Sequence, residues 1–211
     1  MADWSEVGAE RGADGHRRCG WSIGTPDYIA YHDDEWGRPV VDDVRIFEQL
    51  CLEGFQSGLS WITILRKREG FRRAFRGFEP AVVARFGKRD VDRLLGDASI
   101  VRNRAKIEAA IKNAGATCNV QDSHGSLATI WWTFEPKRRG RPVAARLGDL
   151  AALTPESTAL SKELKRLGFC FIGPTTAYAA MQSLGIVNDH LKTCHVRTAC
   201  DKARRAIEPP A

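Results

Sequence analysis

The chain has 211 residues, of which 43% are hydrophobic, and it carries a net charge of +6. This length fits a single domain with a core, and no long apolar run indicates a membrane span or a signal peptide. The positive charge favours a polyanionic partner but does not prove one. The six cysteines lie far apart, which argues against a disulfide framework and favours a reducing compartment, the cytoplasm.

Three segments are predicted along the chain. Residues 1–17 show little periodicity and are expected to form a flexible leader, followed by a folded domain at 18–200 and a flexible tail at 201–211. Helical spacing of apolar residues recurs through the domain, with a turn region predicted at 115–125. A basic loop at 137–142 is of the kind that is usually a solvated surface feature. Strand signals are few, so the predicted fold class is all-α.

Aromatic residues are dense near the start of the predicted domain, where glycine and proline interrupt any helical pattern. The segment contains Trp21, Tyr28, Tyr31 and Trp36, together with Cys19 and His32. Such a loop-rich aromatic segment predicts one wall of a binding site. The alternative is a small core that attaches the leader to the rest of the chain.

Residues 51–61 place one carboxylate, that of Glu53, among apolar and small residues. The acidic pair at 42–43 predicts the start of the helix that leads to it, and Gly54 predicts the end of that helix. A second helix is predicted to begin near Trp61. Glu53 is then expected to point into a gap between the two helices, where a carboxylate is costly unless it is paired. The alternative is a glutamate that caps nearby backbone N–H groups.

The clearest helical spacing of apolar residues covers about residues 160–185. A stripe of leucines predicts one helix, and Pro174 predicts the start of a second, so that the glycine-bounded segment between them forms a helix-hairpin-helix. The amides of such a hairpin and of the following helix can hold a DNA phosphate without reading sequence. The residues expected to contact phosphate are Lys165, Gly168, Phe169, Gly173 and Thr175. The alternative is an ordinary corner between two helices.

Potential metal ligands occur at both ends of the predicted domain. His190 and Cys194 are spaced i and i+4, which predicts that they share one helix face. Cys19 and His32 could complete a Cys2His2 set, whose four protein ligands would leave no open position and make the metal structural. Nearby competing ligands are His195 and Cys200. The remaining alternative is a set of buried free thiols.

Blocks of sequence running in order through most of the chain resemble the 3-methyladenine DNA glycosylase I family. The matching blocks are 18–21, 28–37, 51–61, 160–169 and 173–190. The resemblance implies the helix-hairpin-helix DNA glycosylase architecture, with a structural zinc site that joins the N- and C-terminal segments. The zinc ligands it implies are Cys19, His32, His190 and Cys194. The base-binding residues it implies are Glu53, Trp61, Tyr31, Tyr28 and Trp21, with Glu53 as the catalytic residue.

The resemblance also implies a reaction and a partner. The reaction is hydrolysis of the N-glycosidic bond of 3-methyladenine in alkylated double-stranded DNA, by a monomer that needs no membrane and leaves an abasic site. The match is poor at 131–147, which is more basic here. Asp189 lies roughly where many relatives of this fold carry a catalytic aspartate, but it could instead cap a helix. Two alternatives stay open, namely a non-catalytic sensor of alkylated DNA and a zinc-stabilised nucleic-acid module with a vestigial pocket.

Overall fold

The computed structural model describes residues 4–137 and 141–208 of the chain. The α-helices are α1 (Pro26–Asp34), α2 (Asp43–Gln56), α3 (Trp61–Ala74), α4 (Pro80–Val83), α5 (Lys88–Gly96), α6 (Arg104–His124), α7 (Leu127–Thr133), α8 (Pro155–Arg166), α9 (Pro174–Ser183) and α10 (Arg197–Ala206). The strands are β1 (Ala9–Arg11) and β2 (Arg17–Cys19). In the part of the chain that is described, no helix combines the length and the apolar character needed to cross a bilayer. The mostly helical fold confirms the predicted all-α class.

Helix α2 forms the centre of the core and packs against α3, α6, α7 and α9. Asp42 caps its first turn by accepting a hydrogen bond from the Arg45 amide at 2.9 Å. The neighbouring Asp43 accepts hydrogen bonds from the amides of Leu127 and Ala128 at the start of α7. The acidic pair therefore fixes two helix starts at once, and it places Glu53 three turns further along α2.

Two glycines that were predicted to lie at or beyond helix ends are inside helices, and both predictions are wrong. Helix α2 continues through Gly54 to Gln56, where the Lys106 ammonium binds the carbonyl oxygens of Phe55 and Ser57 at 2.9 and 2.6 Å. Helix α6 likewise runs through the expected turn region to His124 and is capped by Gly125, which has a φ of +79°. Buried side chains on both sides of each internal glycine keep the helix packed against the core, which outweighs the low helix propensity of glycine.

The predicted pair of helices near residue 170 is present as α8 and α9, joined by a hairpin. Asn113 of α6 holds this hairpin by accepting from the Cys170 amide at 2.8 Å and donating to its carbonyl oxygen at 3.1 Å. The Ser161 hydroxyl donates to the carbonyl oxygen of Ile172 at 2.9 Å. These bonds and the buried side chain of Ile172 fix the conformation of the hairpin.

Part of the expected leader, residues 1–17, takes part in the fold. Strand β1 pairs antiparallel with β2, and the amide of Gly20 donates to the carbonyl oxygen of Gly8 at 3.0 Å. The amide of Leu147 donates to the carbonyl oxygen of Val7 at 2.8 Å, so that this segment lies between β2 and a distant loop. At the other end, α10 extends to Ala206, within the expected tail, and buries Cys200 and Arg204.

Candidate active site and metal centre

A cavity of about 260 Å³ opens between α1, α2, α3 and α9. The residues that line it are Trp21, Tyr31, Trp36, Glu53, Gln56, Trp61, Leu150, Ala179, Gln182 and Ser183. Four of the five predicted base-binding residues therefore meet in one place, although they come from three separate parts of the sequence. Cavities of this kind, mostly apolar with a few polar groups, are typical ligand sites.

The fifth predicted residue, Tyr28, is not among the residues that line the cavity. Its hydroxyl oxygen accepts a hydrogen bond from the Ile62 amide at 3.0 Å, in the first turn of α3. Its ring packs edge-on against Trp21, with the ring centroids 5.6 Å apart. Tyr28 thus supports two groups next to the cavity, the Trp21 ring and the amino end of the helix that carries Trp61.

Aromatic rings make up one side of the cavity. Tyr31 and Trp61 have ring centroids 5.5 Å apart, and Trp21 packs on Trp36 at 5.2 Å. Within the described ranges, the indole N–H of Trp61 is buried and has no hydrogen-bond partner. A wall of closely spaced rings offers stacking surface to a flat heteroaromatic ligand.

Glu53 brings the one carboxylate into this apolar surrounding. The side-chain amide of Gln49 donates to its Oε1 at 2.8 Å, and the Ser183 hydroxyl donates to the same oxygen at 3.3 Å. Among the described residues, no hydrogen bond reaches Oε2. Burial raises the pKa of Glu53 to about 7, while the hydrogen bonds from Gln49 and Ser183 act in the opposite direction.

The carboxylate of Asp189 lies outside this cavity and is fully engaged. It accepts hydrogen bonds from the Tyr178 hydroxyl at 2.6 Å, from Gln182 Nε2 at 2.8 Å and from the Arg141 guanidinium at 2.8 Å. Gln182 lines the cavity, so Asp189 contacts a wall residue rather than the space itself. These three hydrogen bonds give Asp189 a structural role, and its carboxylate is not free to contact a ligand in the cavity.

The four predicted metal ligands, Cys19, His32, His190 and Cys194, form a buried group. The His190 Nδ1 lies 3.2 Å from the His32 Nε2, and the Cys194 Sγ lies 3.5 Å from the His190 Nδ1 and 3.4 Å from the His32 Nε2. The Cys19 Sγ lies 3.8 Å from the His190 Nδ1. Four ligand atoms this close together and shielded from water could hold one metal ion.

The outer nitrogens of both histidines have partners of their own. His32 Nδ1 lies 2.7 Å from a carboxylate oxygen of Asp33, and His190 Nε2 lies 2.9 Å from the carbonyl oxygen of Trp36. These contacts leave His32 Nε2 and His190 Nδ1 facing the centre of the group. Gly37 has a φ of +77°, and a Cβ at this position would come within 2.9 Å of the His190 ring, so a side chain here would displace a ligand.

The local structure around two of the ligands differs from the prediction. His190 and Cys194 lie in an irregular segment of turns between α9 and α10, not on a helix. The Cys194 amide donates to the Leu191 carbonyl oxygen at 2.9 Å, and this tight turn brings the two side chains together. Of the competing candidates, His195 contacts Asp33 at 3.1 Å, and Cys200 is a buried free thiol outside the group.

The hairpin offers fewer free amides than expected. The amides of Gly168 and Phe169 donate to carbonyl oxygens of Lys165 and Leu164, at 3.1 and 3.0 Å. At the amino end of α9, no side chain from the described residues caps the first turn, which begins at Gly173. Of the basic loop, residues 138–140 lie outside the described residues.

Comparison with known proteins identifies close relatives. A family model for methyladenine glycosylases matches residues 21–198. The DNA-3-methyladenine glycosylase 1 of Escherichia coli K12 is 46% identical over 177 residues, which is 84% of this chain and 95% of that protein. A crystal structure of a 3-methyladenine DNA glycosylase I superposes with a TM-score of 0.79 at 46% identity, covering 84% of this chain and 98% of the other. The Staphylococcus aureus 3-methyladenine DNA glycosylase I, solved to explain 3-methyladenine recognition, is 35% identical, with a TM-score of 0.79 and coverage of 85% and 96%.

Proposed function

The chain belongs to the methyladenine glycosylase family, and from this membership we propose that it hydrolyses the N-glycosidic bond of 3-methyladenine in alkylated DNA. The observation that carries the proposal is the position of Glu53, a buried carboxylate with one free oxygen in an aromatic cavity. Relatives named for this activity match nearly their whole length.

Methylation at N3 gives adenine a positive charge and weakens its bond to the sugar. A carboxylate in an apolar cavity attracts such a cation and can accept a hydrogen bond from its exocyclic amine. To reach the cavity, the nucleotide must leave the base stack, which costs roughly a few kcal/mol. Stacking on Trp21, Tyr31 and Trp61 returns about 1–3 kcal/mol per base and so offsets much of this cost.

The proposed reaction needs little activation of the leaving group. When the bond between the base and C1′ breaks, its electron pair moves to the base and neutralises the positive charge. A water molecule then adds to C1′ and releases a proton, which leaves an abasic site and free 3-methyladenine. The contribution of the protein is to bind the extruded cation and to hold Glu53 beside it.

We propose that the metal of the four-residue group is zinc. In a tetrahedral Cys2His2 site with ordinary Zn–N and Zn–S bonds, neighbouring ligand atoms are about 3.3 to 3.7 Å apart. The measured separations, from 3.2 to 3.8 Å, agree with this geometry. The hydrogen bond between the two thiols lowers the pKa of Cys194 and raises that of Cys19, so one sulfur is favoured as a thiolate while the other keeps its proton until a metal replaces it. Such an ion would join the first and last parts of the fold and would be structural.

We also propose that the hairpin between α8 and α9 is a helix-hairpin-helix that binds DNA phosphate. Gly173 and Thr175 supply the uncapped first turn of α9, while the exposed Lys165 at the end of α8 supplies charge. Gly168 and Phe169 shape the hairpin through their internal hydrogen bonds. Phosphate contacts carry no base information, so this binding is independent of sequence.

Changing Lys165 to alanine is expected to weaken binding to unrelated DNA duplexes equally and to reduce the salt dependence. Each neutralised phosphate contributes about 0.9 to the slope of log K against log salt, so the slope should fall by about 1. Titration of labelled duplexes at several salt concentrations measures this. Lys88→Ala on α5, another exposed lysine, is the control and should leave the slope unchanged. An unchanged slope in the Lys165 variant would remove that residue from the phosphate site.

Release of the free base from methylated duplex DNA tests the proposed function. Chromatography should detect 3-methyladenine, and alkali should cleave the DNA at the abasic site that remains. Binding of alkylated DNA without base release would instead support a non-catalytic sensor.

We further propose that residues 18–200 form the glycosylase domain, to which β1 and the end of α10 add, and that the substrate is double-stranded. We also propose that the protein acts as a monomer in the cytoplasm. None of the six cysteines, all of which lie in the described ranges, forms a disulfide bond, which is consistent with a reducing compartment.

A further inference from the structure

Ser183 lies at the end of α9, between two of the predicted base-binding residues. The Tyr31 hydroxyl donates to the Ser183 Oγ at 3.1 Å, and the Ser183 hydroxyl lies 3.3 Å from the Glu53 Oε1. All three side chains line the same cavity. Three helices, α1, α2 and α9, thus meet through one serine hydroxyl.

The donor and acceptor roles in this chain follow from the chemistry of the groups. A phenol keeps its proton at neutral pH, so the Tyr31 hydroxyl can donate it to Ser183. Ser183 has one proton, which lies within reach of both the Glu53 Oε1 and the Ala179 carbonyl oxygen at 3.0 Å. An ionised carboxylate is the stronger acceptor, so the hydroxyl turns towards Glu53 when that group loses its proton.

We propose that Ser183 is a positioning residue for base excision: together with Gln49 it holds the Glu53 Oε1, so that Oε2 faces the extruded base. This inference rests on the proposed function and adds a residue to it. Gln49 binds Oε1 from one side within α2 at 2.8 Å, and Ser183 binds it from α9. Removing Ser183 therefore leaves the carboxylate held by Gln49 alone, so that its orientation is less fixed and its ionised form is less favoured.

Other charges around this site are already paired. The adjoining cavity between α1, α2 and α3 is lined by Glu35, Arg45, Glu48, Arg68 and Arg72. Arg68 binds Glu35 at 2.6 Å, Arg72 binds Glu48 at 2.8 Å, and Arg45 approaches Glu35 at 3.9 Å. Ser183 also lines this cavity but is not a member of any of these pairs. Ser183→Ala therefore leaves the paired charges in place and removes the hydroxyl that contacts Glu53.

The test is a carboxyl titration of Glu53 followed by NMR in protein labelled with ¹³C-glutamate. In Ser183→Ala the midpoint should rise by about half a pH unit to one pH unit, because the ionised form loses a hydrogen bond. Ser183→Thr keeps the hydroxyl and should restore the wild-type midpoint. Ser161→Ala, which removes a buried serine hydroxyl bonded to the backbone, should leave the Glu53 midpoint unchanged.

Base release measured on the same variants gives a second readout. Ser183→Ala should lower kcat about 3- to 10-fold at pH 7, leave the KM for DNA nearly unchanged, and move the pH profile to higher pH. An unmoved Glu53 midpoint would overturn the role of Ser183, whatever the activity. A shifted midpoint in a protein that releases no base even as wild type would retain the Ser183–Glu53 link and overturn the proposed function instead.

Discussion

Changing Glu53 to glutamine is expected to slow the release of 3-methyladenine about 10- to 100-fold while leaving the affinity for DNA nearly unchanged. The variant keeps the shape of the side chain but loses the negative charge that attracts the cationic base. A hydrogen bond to a charged group contributes about 1.5–3 kcal/mol, which converts to this range of rates. Single-turnover base release and a separate DNA-binding titration measure the two quantities.

The same substitution is expected to stabilise the fold at neutral and alkaline pH. Burial raises the pKa of Glu53 from 4.5 to about 7, so the folded state favours the protonated form. The contribution of Glu53 to the free energy of unfolding is therefore complete below pH 4.5 and is lost as the pH rises through 7. The total loss is at most on the order of 3 kcal/mol. The melting temperature of Glu53→Gln should therefore equal that of the wild type at pH 4.5 and exceed it by several degrees at pH 8.

Glu48→Gln provides the matched control on the same helix. Glu48 is as buried as Glu53, at 5% exposure, but it is paired with Arg72 at 2.8 Å and does not line the aromatic cavity. Its loss should lower the melting temperature at pH 8 and leave base release intact. The two variants therefore shift the melting temperature in opposite directions, and only Glu53→Gln slows base release. A Glu53→Gln protein with wild-type excision would show that the carboxylate does not act on the base.

Changing Cys194 to alanine is expected to abolish tight zinc binding and to lower the melting temperature by about 10 °C or more. Structural zinc sites contribute strongly to folding, and a protein of this length loses roughly 2–4 °C per kcal/mol. The segment around Leu191 contacts Cys19 directly, since its amide lies 3.3 Å from the Cys19 sulfur. Loss of the ion would weaken the contact between the segment around Leu191 and the segment around Cys19. Metal analysis of the purified protein and calorimetry measure both effects.

Cys200→Ala is the control for this prediction. Cys200 is completely buried and close to the metal group, yet it is not a member of it. Its removal should cost packing energy but leave one zinc per chain. Full zinc retention by the Cys194 variant would contradict the ligand assignment, and zinc loss by the Cys200 variant would show that the group extends further.

The sequence predicted the helical class because helix signals are local, whereas the set of base-binding residues came from the family resemblance. The acidic pair at 42–43 and Pro174 are helix-start residues, and both mark helix starts in the structure. Gly54 and Gly115 misled the prediction, because a glycine lowers helix propensity by only about 1 kcal/mol. Burial of the neighbouring side chains outweighs this amount, and burial depends on contacts that are distant in sequence.

The rest of the site could not be predicted for a related reason. The i, i+4 spacing of His190 and Cys194 is met by a turn as well as by a helix, so spacing alone did not give the local structure. Ser183 and Gln49 were missed because a serine or a glutamine on an amphipathic helix carries no signal of its own. Only the packing of α9 against α2 shows that both side chains bind the same carboxylate oxygen.

The most direct test of the central claim is to compare base release from duplexes that contain 3-methyladenine, 7-methylguanine or uracil at a defined position. Above pH 7, where Glu53 is mostly ionised, its carboxylate accepts hydrogen bonds and attracts positive charge but offers no donor to a neutral base. We therefore expect rapid release of 3-methyladenine and release of uracil that is slower by at least about 100-fold, a factor that corresponds to about 2.7 kcal/mol of transition-state stabilisation. Release of uracil at a rate comparable to that of 3-methyladenine would contradict the account.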